Sequence, residues 1–359
     1  MRDESAIINY VTKRLGGLGA GSRHRSNPGW LALGLGDDAA VLSMSALGGR
    51  SGRSNRDLVL SCDSFLEGVH FLPKLHAPEA IGYKALARAT SDLAAMGARP
   101  RFFLVTLTLP SGRTAGWLEK FLAGIARAAR EFKMELVGGD TSEYSKITIG
   151  VTVGGDIREG HALTRSAAQP GDQIYVSGVL GGAQLALELL MGVGKFSRDA
   201  IPVQILERHL RPRIRLELGQ WFSGELPSGA KLASAAIDTS DGLSTDLDHI
   251  CRASGVGAKI YSEQLPTVSI PNGKFRGRSL SKEEALEAAL HGGEDYELLF
   301  TVSRRNAKRI PPRYRGVKLT RIGEITAGAS ATKSSAIELI DGSGRSRPLI
   351  PRGWDSFRR

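Results

Sequence analysis

The spacing of hydrophobic and polar positions changes period along the chain, and each change marks an element. Apolar runs in LGLGDDAAVLSM and DLVLSCDS predict two strands, with SALGGRSGRSNR, residues 45–56, as a flexible insertion between them. IGYKALARATSDLAAMG reads as a helix of good helix formers, closed by Gly97 with Pro100 beyond it. FFLVTLTLP is a strand. TAGWLEKFLAGIARAAREF is an amphipathic helix with Trp117, Phe121, Ile125 and Phe132 on one stripe. MELVGG and KITIGVTVGGDI are strands around a loop, GGDTSEYS. Near residues 160–172 the chain turns polar and rich in turn formers, which predicts a boundary between domains 1–160 and 161–359. Beyond it come the strand QIYVSG, a helix from Gly181 and helical chain to Phe222. SAAIDTSDG, the helix LSTDLDHICRAS and the strand GAKIYS follow. Ser281 and Glu284 form a capping box before EEALEAAL, and YELLFTVS is a strand. Strands and helices mixed in both halves predict an α/β (α+β) fold, each domain a mixed sheet layered with helices.

Composition narrows the class. With 359 residues, 41% hydrophobic and 24% charged, the chain is ordinary globular protein and long enough for two cores. Two cysteines, Cys62 and Cys251, make neither a disulfide framework nor a thiolate zinc site. No apolar run approaches the roughly 20 residues that span a bilayer. MRDESAIINY lacks a signal pattern, so the expected location is the cytoplasm, away from membranes. The 48 Lys and Arg outnumber the 37 Asp and Glu, for a net charge of +11. Much of the excess sits in residues 304–321, which hold eight basic residues and no acidic one. Aromatic interleaving is missing there, which favours a solvated surface over a nucleic-acid platform.

Chemistry enters with six acidic motifs. GLGDDAAVL carries Asp37 and Asp38, and SCDSFLEGVHF reads as a strand ending at Asp63. ATSDLAAMGA places Asp92 on a helix, with Arg88 and Lys84 one and two turns earlier. VGGDT supplies Asp140, AIDTSDGL supplies Asp238, Ser240 and Asp241, and HGGEDYELLF supplies Glu294 and Asp295. Each alone is common turn or capping chemistry. As a set, they put carboxylates at strand exits, where α/β folds build their sites. Converging carboxylates repel unless cations lie between them. Oxygen donors without a His/Cys cluster select Mg²⁺, which is usually shared with substrate phosphates. No Walker loop and no protein-kinase motif set is present, and GGLGAGS near the N-terminus lacks a strand-to-helix context. Arg165, in ALTRSAAQPGD, is either a contact for donor phosphates or a surface arginine.

GDDAAV, D-x-x-x-E-G-V-H-F, SDLAAMGA-x-P, GGDT, LTRS-x-A-x-PGD, ID-x-SDGL-x-x-DL-x-HI and GGEDYELLFT occur in this order from about Leu31 to Thr301, with GWDSF near the end. Together they resemble the thiamine-monophosphate kinase family. That family belongs to an ATP-binding superfamily that also holds aminoimidazole ribonucleotide synthetase and selenophosphate synthetase. The resemblance implies a two-domain aminoimidazole ribonucleotide synthetase-like fold and ATP-dependent conversion of thiamine monophosphate to thiamine diphosphate. It implies magnesium at Asp38, Asp63, Asp92, Asp140 and Asp238, with Ser61 and Cys62 contributing through backbone oxygens and Asp241 holding a further ion. Gly139, Asp140, Arg165 and Ser240 would meet ATP. His70, Glu294 and Trp354 would meet thiamine monophosphate, and the N-terminal domains would pair in a homodimer. Cys62 departs from the Thr or similar small residue expected there, which a backbone ligand tolerates. His70 is otherwise a packed imidazole, and Trp354 a hydrophobic latch for the terminus.

The acceptor is a phosphate oxygen, already anionic, so no general base is expected. Two rival readings remain at this level: another ATP-dependent enzyme of the superfamily with a different acceptor, and a basic nucleic-acid-binding module built on residues 304–321.

Overall fold

The computed structural model describes residues 4–15, 29–47, 55–192, 202–226, 229–270, 274–275, 278–328, 336–355 and 357. Among them, helix α1 (Glu4–Leu15) precedes a six-stranded mixed sheet. Its strands are β1 (Leu31–Leu33), β2 (Ala40–Ser43), β3 (Arg56–Leu66), β4 (Arg99–Leu109), β5 (Glu135–Glu143) and β6 (Thr148–Arg158), in the order β1-β2-β3-β6-β4-β5. The short α2 (Met44–Leu47) opens the expected insertion. Residues 48–54 of that insertion, and the segment GGLGAGS, lie outside the described residues.

Helices α3 (Pro78–Ala95) and α4 (Gly116–Phe132) pack on one face of this sheet. Phe121, Ile125 and Phe132 of α4 are buried with Trp117 beside them, on the stripe that the spacing predicts. The two helices touch backbone to backbone. A Cβ on Gly82 would stand 2.0 Å from the Phe121 carbonyl oxygen, and one on Gly124 would stand 2.0 Å from that of Glu79. Gly97 ends α3 at φ 73°, a conformation that favours glycine.

The second sheet has eight strands. They are β7 (Gln173–Ser177), β8 (Ala236–Asp238), β9 (Val256–Tyr261), β12 (Leu298–Val302), β14 (Val317–Ala327), β15 (Ile337–Ile340) and β16 (Ser346–Pro348), with β13 (Arg313–Tyr314) paired to β14. The order is β16-β15-β9-β14-β7-β12-β8; β10 (Lys274–Phe275) and β11 (Arg278–Ser279) form a separate hairpin. The helices are α5 (Gly182–Met191), α6 (Val203–Leu210), α7 (Leu216–Ser223), α8 (Leu243–Ser254), α9 (Lys282–His291) and the short α10 (Arg304–Ala307). The Ser281–Glu284 capping box starts α9 as read from sequence.

Leu243, Leu247 and Ile250 of α8, with Leu290 of α9, pack on one face of this sheet. On the other, Tyr175, Leu298 and Phe300 meet Leu218 and Phe222 of α7 and Ala94 and Ala95 at the end of α3. Helix α3 therefore lies between the two sheets, and fourteen of its eighteen residues are buried. That accounts for small and apolar residues over most of its surface, the exception being one stripe of charged residues, Lys84, Arg88 and Asp92, one turn apart.

Two expectations need correction. GGDTSEYS was read as a loop after MELVGG, but β5 continues through Glu143, with Thr106 opposite Asp140 and Leu109 opposite Glu143. The long β4 templates the pairing, and an edge strand with every residue exposed accepts glycine and polar residues. Likewise Asp63 does not end its strand, because β3 runs on to Leu66, paired to β6 throughout.

Candidate active site

Three of the acidic motifs meet where the first sheet, α3 and the second sheet join. Asp38 comes from the loop between β1 and β2, Asp92 from the last turns of α3, and Asp238 from the end of β8. One carboxylate oxygen from each lies within 4.8 Å of the others. Asp38 and Asp238 are buried. The Ser91 hydroxyl donates to Asp238 Oδ2 at 2.6 Å, and the Ser61 hydroxyl donates to Asp92. Arg165 donates from Nε to Asp38 Oδ1 at 3.1 Å, and its backbone N–H donates to Asp37. It is thus an inward ion-pair partner, and the surface reading of Arg165 does not hold.

Burial and mutual repulsion raise these carboxyls. Asp238 is pushed up to about 7 by desolvation and then by Asp38. Desolvation followed by Asp63, Asp238 and Asp38 holds Asp92 well above the usual carboxylate range. Asp37 rises to about 6, again mainly through burial. Asp38 Oδ2 is buried without a hydrogen-bond partner among the described residues. A cation between the three would supply that missing partner and remove the repulsion, so the donor set fits a hard, oxygen-liganded ion such as Mg²⁺.

The other expected ligands stand outside this group. Asp63 lies on β3 with its Oδ2 3.6 Å from Arg88 Nε. Cys62, next to it, is exposed with its thiol 3.4 Å from the Thr152 hydroxyl. Alternation along the strand puts that thiol on the face opposite Ser61 and Asp63, so of Cys62 only a backbone oxygen is left as a ligand beside them. Gly139 and Asp140 are on the exposed edge strand β5, with β6 and β4 between them and β3.

A second cluster lies two turns back along α3. Lys84 Nζ is 2.9 Å from Glu294 Oε2, and His209 Nδ1 of α6 is 3.2 Å from the same oxygen. Glu294 has φ 67° and donates its N–H to the Ser240 carbonyl at 2.8 Å. The Lys84 charge, a hydrogen bond from His209 and the Arg88 charge hold its carboxyl well below the usual range despite burial. Between the clusters sits Arg88, its guanidinium 5.1 Å from the centre of the Phe65 ring, with Nε and Nη1 buried and without hydrogen-bond partners among the described residues. His70 stacks on Phe65 and accepts the Leu66 N–H at Nδ1, 3.0 Å away. Burial first, then the Arg88 charge, lowers it to about 4, so it is neutral with Nε2–H free to donate. The chain end docks through its backbone, the Trp354 N–H donating to the Asp241 carbonyl at 3.0 Å, while the indole is 52% exposed.

Sequence reading noticed Lys84 and Arg88 but gave them no role, and it missed His209 and Asp246. Asp246, buried in α8, accepts the Gly242 N–H at 3.0 Å and so braces the loop that carries Ser240 and Asp241. The acidic turn DTSDG followed by a helix could have pointed to Asp246; no local pattern marked His209.

The chain is similar to known proteins. Residues 36–157 match the family model described as AIR synthase related protein, N-terminal domain. The thiamine-monophosphate kinase of Escherichia coli (strain K12) is 39% identical over 307 residues, covering 85% of this chain and 87% of that protein. The chain belongs to the thiamine-monophosphate kinase family. The family member of Aquifex aeolicus (strain VF5) is 32% identical over 323 residues, 90% of this chain and 92% of that one. Among solved structures, AaThiL complexed with AMPPCP and TMP superimposes with a TM-score of 0.76 at 30% identity, covering 98% of this chain and 96% of that chain. This family's fold is the aminoimidazole ribonucleotide synthetase-like arrangement expected from the motifs.

Proposed function

We propose that the chain phosphorylates thiamine monophosphate to thiamine diphosphate with ATP, releasing ADP. The observation that carries this reading is the meeting of Asp38, Asp92 and Asp238 around a buried, uncommitted Asp38 oxygen, at the opposite end of the α3 stripe from Glu294. From Lys84 to Asp92 the helix rises about 12 Å. That length separates a phosphate pole from a pole for the rings of the acceptor. A relative of the same fold is described with a nucleotide analogue and TMP together, which suits such a two-pole site.

Magnesium held by Asp38, Asp92 and Asp238, with Asp63, Asp140, Asp241 and the backbone of Ser61 and Cys62 as further ligands, would screen the repulsion between donor and acceptor phosphates. Arg165 holds Asp38 in place and adds positive charge for the ATP phosphates. Ser240 meets the nucleotide. Neutral His70 donates from Nε2 to the acceptor, Glu294 binds its organic part, and Trp354 covers a ring. No residue removes a proton, because the attacking oxygen is already anionic. Gly139 and Asp140 meet the ATP phosphates on β5. The exposed edge of β5, with Leu136, Val137 and Tyr144 open to solvent, serves homodimer pairing. On this reading residues 1–160 form the ATP, magnesium and pairing domain, and residues 161–359 complete the substrate site. No described helix is long and apolar enough to cross a membrane, which suits a cytoplasmic enzyme acting on free small molecules.

The test is an ADP-release assay across thiamine monophosphate, thiamine and formylglycinamidine ribonucleotide, with the product identified by mass. Magnesium-dependent turnover of thiamine monophosphate to the diphosphate is expected, with no turnover of the ribonucleotide. Turnover of the ribonucleotide, or ADP release independent of any acceptor, would refute the assignment.

A further inference from the structure

Behind Glu294 lies a buried chain of side chains that the reaction as described does not use. His209 Nε2 is 3.0 Å from His76 Nε2, and both rings are almost wholly buried. His76 Nδ1 is 3.2 Å from the Leu72 N–H. Lys84, also buried, completes the cluster from α3.

The direction of each hydrogen bond follows from its end points. Glu294 Oε2 is a carboxylate oxygen and only accepts; His209 Nδ1 is 3.2 Å from it and 3.4 Å from Lys84 Nζ, and the shorter contact assigns the Nδ1 proton to Glu294. Desolvation holds both imidazoles neutral, and a neutral ring has one N–H. His209 Nε2 is then an acceptor, and His76 Nε2–H is its donor. His76 Nδ1 is left bare and accepts from the Leu72 N–H. The Leu72 carbonyl, 3.0 Å from Nδ1, is served instead by the backbone N–H of Leu75 and of His76. On this assignment the protons run from Leu72 through His76 and His209 to Glu294.

Both His209 and Lys84 reach the same oxygen, Oε2. Among the described residues Oε1 makes no hydrogen bond, and the side chain is 24% exposed. We propose that His209, backed by His76, and Lys84 are positioning residues that hold Glu294 by Oε2 and leave Oε1 for the organic part of the acceptor. The proposal rests on the reading that Glu294 binds thiamine monophosphate. It makes the site depend on three separate segments: α3, α6 and the loop before β12.

The experiment is steady-state kinetics on Glu294→Gln, His209→Leu, His209→Asn and the Glu294→Gln/His209→Leu double variant, each with a melting curve. Loss of a hydrogen bond to a charged group changes affinity by about ten- to a hundredfold. His209→Leu is expected to raise KM for thiamine monophosphate by about that factor, leaving KM for ATP within about twofold. His209→Asn, which keeps an N–H near the Nδ1 position, should recover most of the loss. The double variant should be no worse than Glu294→Gln, because His209 acts through Glu294. Multiplicative losses in the double variant, or equal rises in both KM values with a lowered Tm, would overturn the chain. If His209→Leu does not fold, Asn must outperform Gln at position 209, and equality overturns the proposal. An impaired Glu294→Gln beside an unimpaired His209→Leu defeats the chain alone. An unimpaired Glu294→Gln defeats the substrate reading beneath it as well.

Discussion

Removing metal should make the protein less stable as pH rises, and Asp238 sets much of the size of that effect. Its carboxyl stands at about 7 against an ordinary 3.8, chiefly through desolvation. A folded-state pKa above the unfolded one contributes stability that is fully present below about pH 4 and lost as pH rises through about 7. A difference of about three units corresponds to about 4 kcal/mol. Unfolding entropy near 2.1 cal/mol/K per residue gives roughly 0.75 kcal/mol/K for 359 residues, so Asp238 alone accounts for about 5 °C in Tm. Asp38, Asp92 and Asp37 shift in the same direction, and because repulsion from Asp38 is part of the Asp238 shift, the effect belongs to the cluster rather than to one carboxyl. The perturbation is Asp238→Asn, which removes the charge while leaving an oxygen to accept from Ser91. The assay is melting temperature from pH 5 to pH 8 with a chelator, repeated with excess Mg²⁺. Metal-free wild type should lose several degrees across this range and regain more from Mg²⁺ at pH 8 than at pH 5. Metal-free Asp238→Asn should melt above wild type at pH 8, have a shallower pH slope and gain little from Mg²⁺. Parallel slopes for the two proteins in chelator would refute the argument, because the cost of burying that charge would then lie elsewhere.

The sequence made the elements and the ends of the site readable, while the links between them were settled by packing. Alternation and helical spacing placed the strands around Asp38 and Asp63 and the stripe of α4, because those patterns are local. Asp38, Asp92 and Asp238 were each recognisable by motif, and their convergence is a product of the sheet order and of α3 lying between the two sheets. The extent of β5 was misread because glycine and polar residues signal a loop when a strand is considered without its neighbour. Pairing to β4 overrides that signal. His209 was invisible for a different reason. An isolated histidine on an apolar helix face looks like core, and its partners, Lys84 and Glu294, are more than 80 residues away in either direction. Arg165 was legible as an arginine in a motif, but only the fold turns it toward Asp38.

Three further outcomes separate site from scaffold. Neutralising Arg304, Arg305, Lys308 and Arg309 together should leave both KM values within about twofold, since these residues belong to or follow the short α10 on the far side of β12 from the loop that carries Glu294. A large rise in KM for ATP would instead place that segment over the nucleotide. Gly82→Ala should destabilise the protein by about 1–3 kcal/mol or more, as its Cβ would stand 2.0 Å from the Phe121 carbonyl oxygen; an unchanged Tm would mean that α3 and α4 separate freely. Trp354→Ala distinguishes a ring contact from a latch. The tail is held by backbone bonds, Trp354 N–H to the Asp241 carbonyl and Gly353 N–H to the Thr245 hydroxyl, and neither needs the indole. With Trp354 52% exposed, loss of its ring should leave Tm nearly unchanged. Stacking on a cationic thiazolium is worth roughly 0.5–2 kcal/mol, so KM for thiamine monophosphate should rise by about two- to thirtyfold while KM for ATP stays put. Trp354→Phe should recover much of that, because it keeps a π face on the same backbone anchor. A fall in Tm with both KM values raised equally would show that the indole packs the terminus, and recognition of the ring would then fall to His70 and Glu294.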